Sequence, residues 1–159
     1  MKGLSKILAV AFLLGFISIN GVSQNYITGL GVRLGSSSGP SIKYFVNDRN
    51  ALEGLLSFHS YGIRLTGLYE WQKQIVGIEN FDWFVGGGGH FGFENNHYWD
   101  NKVYYSSAIV GFDFILGVEY TFKSAPFTLG ADWKPSINII GYNHWWGSGI
   151  GITFRYNFH

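Results

Sequence analysis

The sequence contains no cysteine, which excludes both a disulfide framework and a lipid-modified N-terminal cysteine as ways to stabilise or anchor the chain. Charge is also scarce: Asp, Glu, Lys and Arg make up 13% of the residues, against about 25% in typical soluble domains. The formal net charge of +1 leaves no basic excess of the kind that nucleic-acid-binding proteins concentrate on one face. We therefore predict no nucleic-acid partner.

No apolar run is long enough for a transmembrane helix, which needs about 20 residues. The stretch Ile7–Ile19 has only 13 residues, and it follows the basic residues Lys2 and Lys6. A basic start before a short apolar stretch is typical of a secretory signal. We predict a cleavable signal peptide over residues 1–23, export through the Sec pathway, and one mature domain over residues 24–159.

Aromatic residues and glycines are abundant, at 19% of the chain and 23 residues respectively, and this composition favours strands and tight turns. Gly149–Phe158 shows the clearest pattern. Its even-numbered residues are all large and apolar, and its odd-numbered residues are all small or polar: Ile150, Ile152, Phe154, Tyr156 and Phe158 against Gly149, Gly151, Thr153, Arg155 and Asn157. Side chains of a strand point to opposite faces with a period of two residues, so one face of this strand is continuously apolar.

The same alternation recurs along the chain and predicts eight strands in all. They are Tyr26–Gly35, Ser41–Val46, Leu52–His59, Ile63–Trp71, Trp83–Phe93, Ala108–Phe122, Phe127–Asn138 and Gly149–Phe158. An even number of antiparallel strands returns both ends to one side, and eight strands enclose an interior that side chains can fill. The predicted fold is therefore all-β, an eight-stranded antiparallel up-and-down transmembrane β-barrel without an open pore.

Alternation also assigns charged side chains to the interior. The inward set is Arg33, Lys43, Glu53, His59, Arg64, Glu70, His90, Asp113, Glu119, Asp132, Lys134 and Arg155. Charges in a narrow interior are costly unless they are paired, so we predict an ionic network that fills the barrel. Its predicted members are Arg33, Glu53, Arg64, Glu70, Asp113, Glu119, Asp132, Lys134 and Arg155, with Glu119, Asp132 and Arg155 at the centre. A proton or ion path through these groups is the alternative.

The connections predict which barrel end faces the periplasm, because outer-membrane barrels have short turns there and longer loops outside. The predicted periplasmic turns are 47–50, 72–80 and 123–125, and the predicted outer loops are 36–40, 60–61, 94–106 and 140–147. Aromatic residues near both sets predict interface girdles. The periplasmic group is Trp71, Phe81, Trp83, Tyr120, Phe122, Phe127, Tyr156 and Phe158, and the outer group is Trp99, Tyr104, Tyr105, Tyr142, Trp145 and Trp146.

The C-terminal strand resembles the signal by which outer-membrane proteins are handed to the barrel-assembly machinery. Phe154, Tyr156 and Phe158 match its apolar positions, although His159 follows the phenylalanine that normally ends such a chain. Trp83–Phe93, Gly117–Phe122 and Asp132–Pro135 resemble a family of small outer-membrane β-barrel proteins common in Bacteroidetes, whose architecture is similar to OmpA- and OmpX-type barrels. The resemblance implies an outer-membrane location among membrane lipids, and it implies no reaction.

We predict a structural or surface-interaction role, with no enzymatic activity, cofactor, metal or catalytic residue and with no ligand identified. One alternative is an outer-leaflet enzyme that modifies lipid A; Ser106, Ser107, His97 and His144 are the side chains available for it, but their spacing is not diagnostic of a catalytic set. Glu94, His97 and Asp100 in one outer loop are weak candidates for a cation-binding or hydrolytic site. Another alternative is a soluble lipocalin-like barrel, which would hide the apolar face inside and expose the charged face. The Gly86–Gly89 run is no phosphate-binding loop, because neither a Gly-Lys-Ser/Thr sequence nor a helix follows it.

Overall fold

The computed structural model describes residues 27–59, 62–96, 105–141 and 146–158. The predicted signal peptide lies outside these residues. The strands are β1 (Thr28–Gly35), β2 (Gly39–Phe45), β3 (Asn50–His59), β4 (Gly62–Gln74), β5 (Phe81–Asn96), β6 (Tyr105–Thr121), β7 (Phe127–Ile140) and β8 (Trp146–Phe158). Within the same residues there is no helix of the length and hydropathy needed to cross a membrane.

The eight strands form one closed barrel in chain order, and each is antiparallel to the next. Closure is made by β1 and β8, which pair from Thr28↔Phe158 to Gly35↔Gly151. A closed sheet leaves no unpaired edge strand, because every strand has a hydrogen-bonded neighbour on both sides. The prediction of an all-β, eight-stranded, antiparallel up-and-down barrel is confirmed.

Several strands run further than alternation predicted. β5 continues to Asn96 and β6 begins at Tyr105, because Glu94, Asn95 and Asn96 pair with Ser107, Ser106 and Tyr105. The predicted outer loop 94–106 is therefore wrong at both ends. β4 likewise extends to Gln74, so the predicted turn 72–80 shortens to 75–80. Both extensions carry polar residues, for which alternating hydropathy gives no signal, while the antiparallel ladder continues from the paired residues beside them.

The aromatic residues assigned to one girdle lie together at the barrel end that carries turns 46–49, 75–80 and 122–126. Their rings are in contact: the Trp71 ring of β4 and the Trp83 ring of β5 have centroids 5.0 Å apart, and the Tyr120 ring lies 5.0 Å from that of Phe122, two residues further along the chain. On β7 and β8 the Phe127 ring lies 5.5 Å from that of Tyr156. Four residues of the predicted outer girdle lie outside the described residues: Trp99, Tyr104, Tyr142 and Trp145. The other two, Tyr105 and Trp146, lie on strands, but their side chains are not described.

Inward-facing glycines make room for the long side chains that cross the interior. A Cβ atom at Gly86 would lie 2.9 Å from Cγ of Glu70, and one at Gly31 would lie 2.6 Å from Cγ of Arg155. Real Cβ atoms need more space than this. The absence of side chains at these two positions therefore leaves space for Glu70 and Arg155.

Candidate functional site

The buried side chains of the barrel are mostly polar, and its exposed side chains include most of its large apolar ones. Among the described residues, 21 buried residues are polar or charged and 7 are apolar. Large apolar side chains lie on the outside instead: on β8, Ile150, Ile152 and Phe154 are each more than half exposed. The candidate functional site is therefore the interior of the barrel.

The largest group of interior contacts is the five-residue cluster, formed by Lys43, Glu53, Glu70, Glu119 and Arg155 from five different strands. Nζ of Lys43 lies 2.8 Å from Oε2 of Glu70 and 3.0 Å from Oε1 of Glu119. Nη2 of Arg155 donates to Oε1 of Glu53 at 2.7 Å, and Nη1 donates to the same Glu119 oxygen that Lys43 reaches. All five side chains are at most 3% exposed, so their charges interact with little screening by water.

Lys43 also contacts neutral groups. Its ammonium donates a hydrogen bond of 2.8 Å to Oε1 of Gln72, and it lies 4.4 Å from the centre of the Phe84 ring. An ammonium group over an aromatic face is attracted by the ring electrons. The five-residue cluster is thus fixed by β4 and β5 side chains as well as by its own ion pairs.

Arg33 and Asp132 form a second interior group. Nε and Nη2 of Arg33 donate to the Asp132 carboxylate at 3.1 and 2.5 Å, and Nη1 donates to the carbonyl oxygen of Ser37 at 2.8 Å. Arg33 is on β1 and Asp132 is on β7, so the pair spans β8, which lies between them. Gly151 of β8 permits this, because a Cβ there would collide with the Arg33 guanidinium.

The histidine cluster, formed by His90, Asp113, Lys134 and Asn138, is the third group. Asp113 accepts from Lys134 Nζ at 2.6 Å and lies 2.5 Å from Nδ1 of His90. Nε2 of His90 lies 2.9 Å from Oδ1 of Asn138. These contacts join β5, β6 and β7 in the half of the barrel away from the aromatic girdle.

Most members of the predicted network are buried, but they divide among three groups. Glu119 and Arg155, two of the three residues predicted at its centre, meet in the five-residue cluster, while Asp132 pairs with Arg33. Arg64 is half-buried on β4. The side chain of His59 is not described.

Sequence reasoning missed Gln72 as an interior residue because it was assigned to a turn. Gln72 is 7% exposed and lies two residues after inward-facing Glu70 on β4. Its parity with Glu70 was the available signal, and only the underestimated length of β4 concealed it. Lys43 and His90 were assigned inward by alternation but were left out of the predicted network, and the structure gives both of them central contacts.

Replacing Arg33 by lysine is expected to lower the free energy of unfolding by about 1–2 kcal/mol, because an ammonium group cannot reproduce the forked contact to Asp132 together with the bond to Ser37. The matched control is Arg49→Lys, since Arg49 is exposed in the turn 46–49. Urea titration of both variants in detergent measures the difference. Equal unfolding midpoints would show that the two-pronged geometry contributes nothing.

No group of three or more His, Asp or Glu side chains that could hold a metal ion occurs among the described residues. The weak cation or hydrolytic candidates His97 and Asp100 lie outside them, and so does His144 of the lipid A alternative. For Glu94 and Ser106 the structure describes the backbone but not the side chain. The cation-site, hydrolytic-site and lipid A hypotheses therefore remain predictions.

The barrel geometry has a counterpart among solved structures. It superposes on the N-terminal β-barrel domain of Pseudomonas aeruginosa OprF with a TM-score of 0.59, covering 81% of this chain and 95% of that one. The two share a fold. Their sequences are only 16% identical, so the likeness concerns architecture alone. No family model matches the chain, and no curated protein is significantly similar in sequence.

Proposed function

We propose that this chain is an integral outer-membrane protein, with its apolar side chains toward lipid and its charged side chains inside the barrel. The observation that carries the proposal is the inverted burial. Lys43, Glu119 and Arg155 are at most 2% exposed, whereas Leu65, Phe112 and Ile152 are each more than half exposed. In water this arrangement would expose a continuous apolar surface to solvent. In a bilayer the same apolar side chains contact the hydrocarbon of the lipids.

The same observation is contrary to the soluble lipocalin-like alternative. That alternative requires an apolar interior able to bind a ligand and a charged outer face. Instead, Asp132, Lys134 and Arg155 are at most 7% exposed, and they contact other charged side chains.

The proposed role is structural or concerned with interactions at the cell surface, and it involves no reaction. Ion pairs cross the interior at three places. A barrel of eight strands is also too narrow to enclose a wide channel. Charged groups that satisfy one another in this way act as a plug that stabilises the closed barrel. An interior filled by paired charges therefore favours a scaffold that presents its loops, and it argues against a conducting pore.

The proposed route to the membrane is Sec export followed by insertion by the barrel-assembly machinery. Phe154, Tyr156 and Phe158 of β8 are 51%, 44% and 44% exposed on the outer face, where a receptor can reach them. β8 is also the strand that closes the barrel with β1. The last strand thus carries the proposed recognition residues and completes the fold.

Cell fractionation followed by gel electrophoresis with and without boiling tests the proposal. We expect the protein in the outer-membrane fraction, with a band that changes mobility on boiling because a closed barrel stays folded in cold detergent. The matched variant Phe114→Lys places a charge in the lipid-facing wall and should reduce the folded band, whereas Lys73→Glu in the exposed end of β4 should not. A soluble periplasmic protein would overturn the proposal.

A further inference from the structure

One stretch of the barrel wall departs from the regular ladder of the others. β6 and β7 pair without interruption from Thr121↔Thr128 to Leu116↔Trp133, and pairing resumes only at Asp113↔Ser136. By contrast, β5 and β6 pair at every position from Phe81↔Tyr120 to Asn96↔Tyr105. We call the unpaired segment, residues 114–115 of β6 and 134–135 of β7, the seam.

Proline accounts for the seam. Pro135 has no amide hydrogen, so it cannot donate to a neighbouring strand, and proline is otherwise confined to sheet edges and bulges. A closed barrel has no edge strand to accommodate it. β7 is distorted beyond this point as well: Lys134, Pro135 and Ser136 are buried in succession, and the register shifts next to Val110 and Gly111.

Side chains bridge the same two strands where the backbone does not. Asp113 of β6 accepts the ammonium of Lys134 at 2.6 Å, and Lys134 directly precedes Pro135. His90 of β5 contacts Asp113 at 2.5 Å and reaches over β6 to Asn138 of β7 at 2.9 Å. Gly111 leaves space for this reach, because a Cβ there would lie 2.6 Å from Cε1 of His90.

We infer that the seam is a built-in site of local opening in the barrel wall and that the histidine cluster is the latch that holds it closed. The ion pair and the histidine contacts replace the backbone hydrogen bond that Pro135 cannot donate. Side-chain contacts can be released singly, whereas a regular ladder opens cooperatively. An opening here gives access between the interior and the surroundings of the barrel wall.

Amide hydrogen exchange of the full-length protein in detergent, followed by mass spectrometry of β6 peptides, tests this inference. In the wild type, amides of residues 112–116 should exchange about 5- to 10-fold faster than those of residues 84–88 in β5. The reason is that local opening between β6 and β7 breaks one backbone hydrogen bond fewer. Pro135→Ala restores a donor and should slow exchange at the seam by a similar factor.

The latch is tested by combining variants. Asp113→Asn should speed seam exchange about 10-fold in the wild-type background, and much less when Pro135→Ala is present, because the backbone then holds the seam. Glu53→Gln on β3 breaks an ion pair with Arg155, away from the seam, and should leave seam exchange unchanged. Should Asp113→Asn fail to fold, Asn138→Ala removes the His90 contact and serves in its place. An equal effect of the latch variant in both backgrounds, or uniform exchange along β6 and β5, would overturn the inference.

Discussion

Replacing Arg155 by leucine is expected to lower the free energy of unfolding by about 3–5 kcal/mol, the usual loss when one partner of a buried ion pair is removed. Arg155 contacts both Glu53 and Glu119, so its loss leaves three buried carboxylates with Lys43 as the remaining cation of the five-residue cluster. The measurement is urea unfolding in detergent, followed by the intrinsic fluorescence of the tryptophans.

The control for this prediction is Arg49→Leu, which removes the same side chain from an exposed turn. Surface substitutions of this kind usually change stability by about 0.5 kcal/mol or less. If both variants unfold at the same urea concentration, the five-residue cluster does not stabilise the barrel and the interior charges need another explanation.

Two neighbouring glycines of the Gly86–Gly89 run should respond differently to replacement by alanine. A Cβ at Gly88 would lie 2.8 Å from the carbonyl carbon of Gly67 and 2.9 Å from Cα of Leu68, so the backbone of β4 must move. Gly88→Ala is expected to cost about 2–3 kcal/mol of stability, as overpacking does. The fraction that keeps its fast-migrating band on unboiled gels, measured against temperature, reports the loss.

Gly87 is the matched control because it points to the other face of the same strand. A Cβ there would lie 3.7 Å from its nearest atoms, which belong to Asp113 and Phe114, and this is an ordinary van der Waals distance. Gly87→Ala should be neutral or stabilise by up to about 1 kcal/mol, since glycine is unfavourable within strands. Equal losses at Gly87 and Gly88 would contradict the assignment of inner and outer faces in β5.

Alternation was sufficient to predict the fold because each strand separates two different surroundings. The ten residues of Gly149–Phe158 alternate strictly between large apolar and small or polar side chains, and the barrel closes with β8 in the predicted place. The strand ends were harder, since Glu94–Asn96 and Gln72–Gln74 are polar at every position and carry no periodic signal. Pairing extends them only because the neighbouring residues are already in register.

The partners of the interior charges could not be predicted from the sequence. Alternation states that Arg33 and Asp132 face inward, but their contact depends on the register of three strands and on the space above Gly151. The grouping of Glu119 with Lys43 similarly depends on strands on different sides of the barrel. Side-chain direction is local information, whereas the choice of partner is set by the whole closed sheet.

Cysteine accessibility in isolated outer membranes tests the central claim most directly, and the absence of native cysteine makes single-cysteine variants simple to interpret. Val32, Phe114 and Ile152 are 49%, 52% and 56% exposed on the barrel, and Val76 in the turn 75–80 is 93% exposed. If lipid surrounds the barrel, a water-soluble maleimide should label the cysteine at position 76 and leave those at 32, 114 and 152 unmodified until the membrane is dissolved and the barrel unfolded. Rapid labelling at all four positions in the untreated membrane fraction would show that water covers the apolar face, and would contradict the proposed location of this protein.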